Sequence, residues 1–213
     1  MTEGETGLIL HIPEAEPVVG PWRSQHDSSA PLGVPAHVTI VYPWIPIELL
    51  ASDDRAAVAA IVARMSPLDL TFGGFGRFPD VLWLDPRPTE PILALISTLT
   101  RRWPAYLPYG GEYGDRPTPH LTVSDTHDPG QLGHIIADIE PALPLRSRVD
   151  ELSLLVRRAD CWRTEQTFPF ASAARETRVA DIAGSADENR GQRVHRRRNR
   201  SVASLDLGLD VSQ

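Results

Sequence analysis

Two short runs carry the residues that could do chemistry. "PAHVTIVYPW" holds His37 and Thr39, and "TPHLTVSD" holds His120 and Thr122. Each is His-x-Thr-x with apolar residues at both x positions. Side chains alternate across a strand, so residues i and i+2 share a face. His37 and Thr39 then point one way, and Val38 and Ile40 point toward a covering layer. His120 and Thr122 stand in the same relation to Leu121 and Val123. Two imidazoles that titrate near neutrality can act as base and acid in one turnover. Two hydroxyls between them can donate to the non-bridging oxygens of a phosphate. The chemistry that uses all four is attack on a phosphodiester, above all a strained cyclic one, by water or by a ribose hydroxyl. It needs no metal or cofactor, because the imidazoles handle protons and the hydroxyls meet the developing charge.

The elements around the two runs have a similar order. "TGLILHIP" reads as a strand, followed by a Pro/Gly/Ser-rich loop to Val34. "HVTIVYPW" is a strand that Pro43 and Pro46 end. "SDDRAAVAAIVARM" has helical spacing, with Ser52 as N-cap and acids in the first turn. "LDLTFGGFGRFPDVLWLDP" gives two strands around a turn. "TEPILALISTLTRRW" is a second helix, with Thr89 as its cap and arginines at its end. A glycine-rich loop, "LPYGGEYGDRPTP", then leads into "HLTVSD". A helix follows over about residues 131–139, and "RVDELSLLVRRADCWRTEQTFPF" supplies two more strands. Each half thus runs strand with His-x-Thr, helix, pair of strands, a divergent internal repeat. A pseudo-two-fold pairing of the halves would bring both motifs to one groove.

These residues resemble the 2H phosphoesterases, which include bacterial 2'-5' RNA ligase-like proteins and RNA 2',3'-cyclic phosphodiesterases. The resemblance rests on "HVTI" and "HLTV", the helix after each, the intervening hairpin "FGRFPDVLWLDP" and the closing "CWRTEQTFPF". It spans about residues 5–170. It implies an α+β fold of two pseudo-symmetric antiparallel-sheet lobes with outer helices. It also implies His37 and His120 as the catalytic pair and Thr39 and Thr122 as the phosphate-holding pair. Members act on 2',3'-cyclic ends, on ADP-ribose cyclic phosphate or on 2'-5' linkages, and the motifs do not choose among these. Ligation of cyclic-phosphate ends without ATP would be the reverse of hydrolysis in the same site.

Composition narrows the partners. The formal net charge is −7, which argues against a duplex-DNA binder, since that needs a basic face. A nucleotide or short RNA end in a local pocket is compatible with it. All 21 basic residues are arginine, so P-loop, Schiff-base and nucleotidyl-lysine chemistry are out. Arg116, four residues before His120, is the best-placed cation for a substrate phosphate, and Arg77 in the hairpin is second. Phe78 could stack on a base at the groove mouth. Tyr42 falls opposite His37 by strict alternation and reads as core. His11, His26, His127, His134 and His195 lack a matching threonine and read as structural or exposed. Cys161 is the single cysteine, which excludes an internal disulfide and fits a reducing compartment. No apolar run is long enough to span a membrane, and the acidic N-terminus shows no secretory signal. A cytoplasmic monomer is expected. Residues 1–170 read as the domain. Residues 171–213, with eight arginines, six acids and no aromatic residue or proline, read as a disordered or weakly helical tail.

Two other readings use the same residues. His37, His120 and Asp125 or Asp115 could form a facial metal triad, but the repeated threonines would then lack a role. A 2H-like fold could also bind a nucleotide or RNA without turnover.

Overall fold

A computed structural model describes residues 3–114 and 117–171. Asp115, Arg116 and the 172–213 segment, which holds the tail and His195, lie outside the described residues.

The first strand, β1 (Thr6–His11), leads through a 3-10 turn at Pro13–Ala15 into α1 (Glu16–His26). There follow β2 (His37–Val41), α2 (Ser52–Val62), β3 (Leu68–Phe78), β4 (Val81–Arg87) and α3 (Glu90–Arg102). The chain closes with β5 (Leu121–Ser124), α4 (Pro129–Ile139), β6 (Leu145–Val149), β7 (Glu151–Arg158) and β8 (Cys161–Pro169). Two four-stranded antiparallel sheets result, in the orders β2-β1-β7-β8 and β5-β4-β3-β6. Both His-x-Thr runs therefore lie on edge strands, β2 in one sheet and at β5 in the other. The expected α+β architecture of two antiparallel-sheet lobes with outer helices is present.

In each sheet one face is buried in the core, and the other carries the cleft-lining residues of β2 and β5. Val38, Ile40, Leu121 and Val123 are fully buried, as alternation requires, while His37, Thr39, His120 and Thr122 are only partly so. In β1, Leu8 and Leu10 join the main core, whereas Ile9 joins a small separate cluster with Leu155 and Trp162. That cluster forms the apolar floor of the inter-lobe face. The Cα atoms of β2 and β5 come within 8 Å of one another, so the two edges meet at the centre.

Three elements differ from the sequence reading. The segment read as a loop to Val34 contains α1 despite Pro17, Gly20 and Pro21. Val19 and Arg23, one turn apart, are both buried on its inner face, and that burial outweighs the poor propensity. The C-terminal part holds three strands, not two. In the additional one, β6, Leu145, Ser147 and Val149 are buried while Arg146 and Arg148 are exposed. Finally, Ser52 is the first residue of α2 rather than its cap. Ala51 is the N-cap, and its N–H donates to the Asp54 carboxylate at 3.3 Å.

Candidate active site

The same irregularity follows both motifs. Thr39 pairs with Ile9 but Val41 pairs with Leu8, so β2 carries one extra residue. Thr122 pairs with Trp83 but Ser124 pairs with Leu82, so β5 does too. Each is a β-bulge, which re-aims the residues after it. The consequence is visible in burial: Ile40 and Val41 are both inward, as are Val123 and Ser124. The bulge also corrects the reading of Tyr42 as core. Parity slips by one, and Tyr42 turns to the histidine side, where its hydroxyl donates to Glu5 Oε2 at 3.3 Å.

A cleft of about 220 Å³ opens between the lobes, and His37, Thr39, His120 and Thr122 all line it. Ser29, Tyr42 and Tyr109 join them over the Ile9–Leu155–Trp162 floor. Both imidazoles are held in the same manner. His37 Nδ1 lies 2.7 Å from the Pro35 carbonyl, and His120 Nδ1 lies 2.8 Å from the Thr118 carbonyl. A carbonyl only accepts, so each ring carries its proton on Nδ1 and turns the Nε2 lone pair to the cleft. His37 Nε2 takes a hydrogen bond from the Thr39 hydroxyl at 3.1 Å. Tyr109, from the loop before His120, hydrogen-bonds that hydroxyl in turn.

The two histidines differ in their surroundings. Burial pushes the His37 pKa down to about 4, opposed by the Pro35 carbonyl. The charge of Arg23 lowers it further, Asp27 raises it, and His120 lowers it slightly. Arg23 and Asp27 form a buried ion pair at 2.8 Å. Burial also lowers the His120 pKa, against the Thr118 carbonyl. His120 is packed by rings. Phe78 stands edge-on at 5.0 Å, Trp83 tilts over it at 6.1 Å, and Tyr109 stacks at 6.5 Å.

Trp83 depends on a missing side chain. It crosses Gly76 of β3, where a Cβ would come within 2.1 Å of the indole. Gly76→Ala is expected to displace the indole from His120. Overpacking of this kind costs about 1–3 kcal/mol, read as a lower urea midpoint with a shift in tryptophan emission.

Of the remaining candidates from the sequence, Phe78 is at the site, against His120. Arg77 is not brought there. It is exposed and pairs across from Leu82, a core residue, which puts it on the face opposite Trp83 and Thr122. Asp125 is turned away from a metal triad, its carboxylate accepting the Ser28 N–H at 3.0 Å. Among the described residues no three His, Cys, Asp or Glu side chains gather as a metal site, and no helix is long and apolar enough to cross a membrane. Sequence reasoning missed Ser29, Tyr109, Trp162 and the Arg23–Asp27 pair. For Tyr109 a signal existed: the glycine-rich "LPYGGEYG" immediately before the second motif.

The sequence matches the profile of the 2'-5' RNA ligase superfamily over residues 12–160. The chain belongs to this superfamily. Its two lobes are the 2H phosphoesterase arrangement of two helix-flanked antiparallel sheets. A protein of Thermus thermophilus, TT0787, shares the fold at 19% identity and a TM-score of 0.51, over 78% of this chain and 98% of that one. LigT of E. coli, in the crystal structure complexed with ATP, is similar at 16% identity and a TM-score of 0.47, over 79% and 99%. LigT complexed with phosphate gives the same identity, TM-score and coverage. A search of curated proteins finds no match. The general chemistry of the superfamily is that of phosphoesterases and ligases.

Proposed function

We propose that this member is a metal-independent phosphoesterase acting on 2',3'-cyclic phosphate or 2'-5' phosphodiester ends of RNA or nucleotides, with residues 1–170 as the working domain. The observation that carries this reading is one cleft holding two imidazoles anchored through Nδ1, with Nε2 left for the cleft, and two threonine hydroxyls, one of them on the His37 Nε2. His37, whose pKa burial and the charge of Arg23 lower, is the base, and His120 is the acid. For a cyclic substrate, the His37 Nε2 takes a proton from water as the water oxygen bonds to phosphorus. The bond from phosphorus to one ribose oxygen breaks, and His120 Nε2–H protonates that oxygen. The product is a phosphomonoester, and the histidines exchange protons with solvent to reset. Thr39 gives up its bond to His37 and, with Thr122, donates to the phosphoryl oxygens. Run backwards with a ribose hydroxyl in place of water, the same steps join ends without ATP. Arg116 is retained as a candidate phosphate contact.

The test is hydrolysis of adenosine 2',3'-cyclic phosphate in the presence of EDTA. Turnover that EDTA leaves intact supports the reading, and binding without turnover supports a recognition module instead.

The pH profile follows from the two lowered pKa values. In the free protein His37 must be neutral and His120 protonated. kcat/KM is expected to rise with pH through about 4 and to fall again below the ordinary histidine value of about 6.5. Bound phosphate favours both imidazolium forms, so the kcat profile lies at higher pH than that of kcat/KM. A kcat/KM that climbs steadily to pH 9 would contradict the assignment.

A further inference from the structure

Besides Thr39 and Thr122, a third aliphatic hydroxyl lines the His-x-Thr cleft, that of Ser29. We propose that Ser29 is a catalytic residue that holds the attacking water, accepting the water O–H that His37 does not deprotonate. The inference rests on the phosphoesterase reading with His37 as base, and it adds that Ser29 serves hydrolysis and not the joining of ends.

The first observation is the direction of the serine proton. Asp27 Oδ2 accepts from Arg23 Nε at 2.8 Å, and Asp27 Oδ1 accepts the Ser29 N–H at 2.9 Å and the Ser29 hydroxyl at 2.7 Å. A guanidinium on one oxygen and a backbone N–H on the other are both donors. The carboxyl is therefore an ionised acceptor, and the shared proton belongs to Ser29. What Ser29 Oγ has left for the cleft are lone pairs. It cannot donate to a phosphoryl oxygen as the threonines can, and the carboxylate behind it repels one. It suits a group that carries a hydrogen. In a 2',3'-cyclic phosphate both secondary ribose oxygens are esterified, so the donor next to phosphorus is the nucleophile itself. Water has two O–H bonds. His37 Nε2 takes the proton of one. The other is held by Ser29 while the oxygen bonds to phosphorus, and its proton stays on that oxygen in the monoester.

The second observation is placement. Ser29, Val34 and His37 line the cleft together. Burial leads in lowering the His37 pKa, and the charge of Asp27 is among the effects that oppose it. The carboxylate that holds Ser29 is thus close to the His37 ring. Tyr42 also gives its hydroxyl proton to a carboxylate, that of Glu5. It follows the last residue of β2, however, whereas His37 is the first.

The third observation is rigidity. The Ser29 carbonyl accepts from the Leu32 and Val34 N–H groups at 3.1 and 3.3 Å, so its N–H, carbonyl and hydroxyl are all engaged. The turn closes through Gly33, left-handed at φ 88°, where a Cβ would stand 2.9 Å from the Trp162 carbonyl oxygen. An acceptor fixed in advance needs no reordering when the water reacts.

An alcohol has a single O–H, which goes to His37, and asks nothing of Ser29. The test supplies adenosine 2',3'-cyclic phosphate in aqueous methanol and follows the monoester and the methyl diester by phosphorus NMR. Ser29→Ala is expected to slow hydrolysis about tenfold, the effect of one hydrogen bond in the transition state. Methanolysis keeps its wild-type rate, so the ratio of methyl diester to monoester rises about tenfold. Ser29→Cys still has a proton for Asp27 but is a weak acceptor, and it is expected to shift the ratio in the same direction. Ser29→Thr, which restores the hydroxyl, is expected to restore the ratio. A structural role would disturb His37 and slow both nucleophiles alike. A ratio unchanged in Ser29→Ala and Ser29→Cys, including one of zero throughout, overturns the proposal, as does one raised only by faster methanolysis. If the wild type forms neither product, the phosphoesterase reading fails and this inference with it. If the wild type hydrolyses the substrate and the ratio does not move, this inference alone fails.

Discussion

His37→Ala and His120→Ala are each expected to lower kcat on a 2',3'-cyclic nucleotide by about 10²- to 10⁴-fold, the span that positioned general acids and bases contribute. The two rings serve one transition state: one removes the proton of the nucleophile while the other supplies the proton of the leaving oxygen. Losing either leaves the other without a partner step. The double variant is therefore expected to be little worse than the poorer single one, because residues acting as a unit are not additive. The pH profiles separate the roles. His37→Ala should lose the acid limb of kcat/KM and His120→Ala the alkaline limb. Folding is a small part of the effect, since each ring is only partly buried and makes one backbone hydrogen bond through Nδ1. Midpoints of thermal unfolding measured beside the rates check this. Full activity in either variant would remove that histidine from the mechanism.

Much of this site was legible because a strand enforces parity. His-x-Thr with apolar neighbours fixes which side chains share a face, and the buried Val38, Ile40, Leu121 and Val123 follow from that rule. Where parity failed, the cause lay in pairing. The bulge that turns Tyr42 into the cleft exists only in the register of β2 against β1, and no property of Tyr42 itself announces it. Arg77 lies away from the cleft because the hairpin pairs it with Leu82, a register set by the exact place of the turn. The helix α1 was hidden by its prolines and glycine, since the burial of Val19 and Arg23 that sustains it is tertiary. β6 alternates cleanly, yet its five residues sit between a proline and the longer β7 and merged with it in the reading. Tyr109 reaches Thr39 from a loop, and loops carry no periodicity from which such a reach could be read.

The Arg23–Asp27 pair gives the second large effect, and it lies behind His37 rather than in the cleft. Arg23 is 2% exposed and Asp27 6%. Arg23 also donates to the Val34 carbonyl at 3.1 Å, and Asp27 Oδ1 accepts from the Ser29 N–H and hydroxyl at 2.9 and 2.7 Å. The pair therefore ties down the segment that carries Ser29, Val34 and the Pro35 carbonyl that orients His37. Breaking a buried pair by removing one partner costs about 3–5 kcal/mol, because the other charge is left uncompensated. Arg23→Met and Asp27→Asn are each expected to lose stability of that order in urea unfolding, and Arg23→Met/Asp27→Leu to recover part of it. Catalysis distinguishes the two single variants. The guanidinium lowers the His37 pKa and the carboxylate raises it. Arg23→Met should therefore move the acid limb of kcat/KM to higher pH, and Asp27→Asn should move it to lower pH. Both lose stability, so a merely structural effect would act on the two profiles in the same sense. Opposite displacement of the limb requires that the pair act on the base through its charge, and displacement in one direction only would show that it does not.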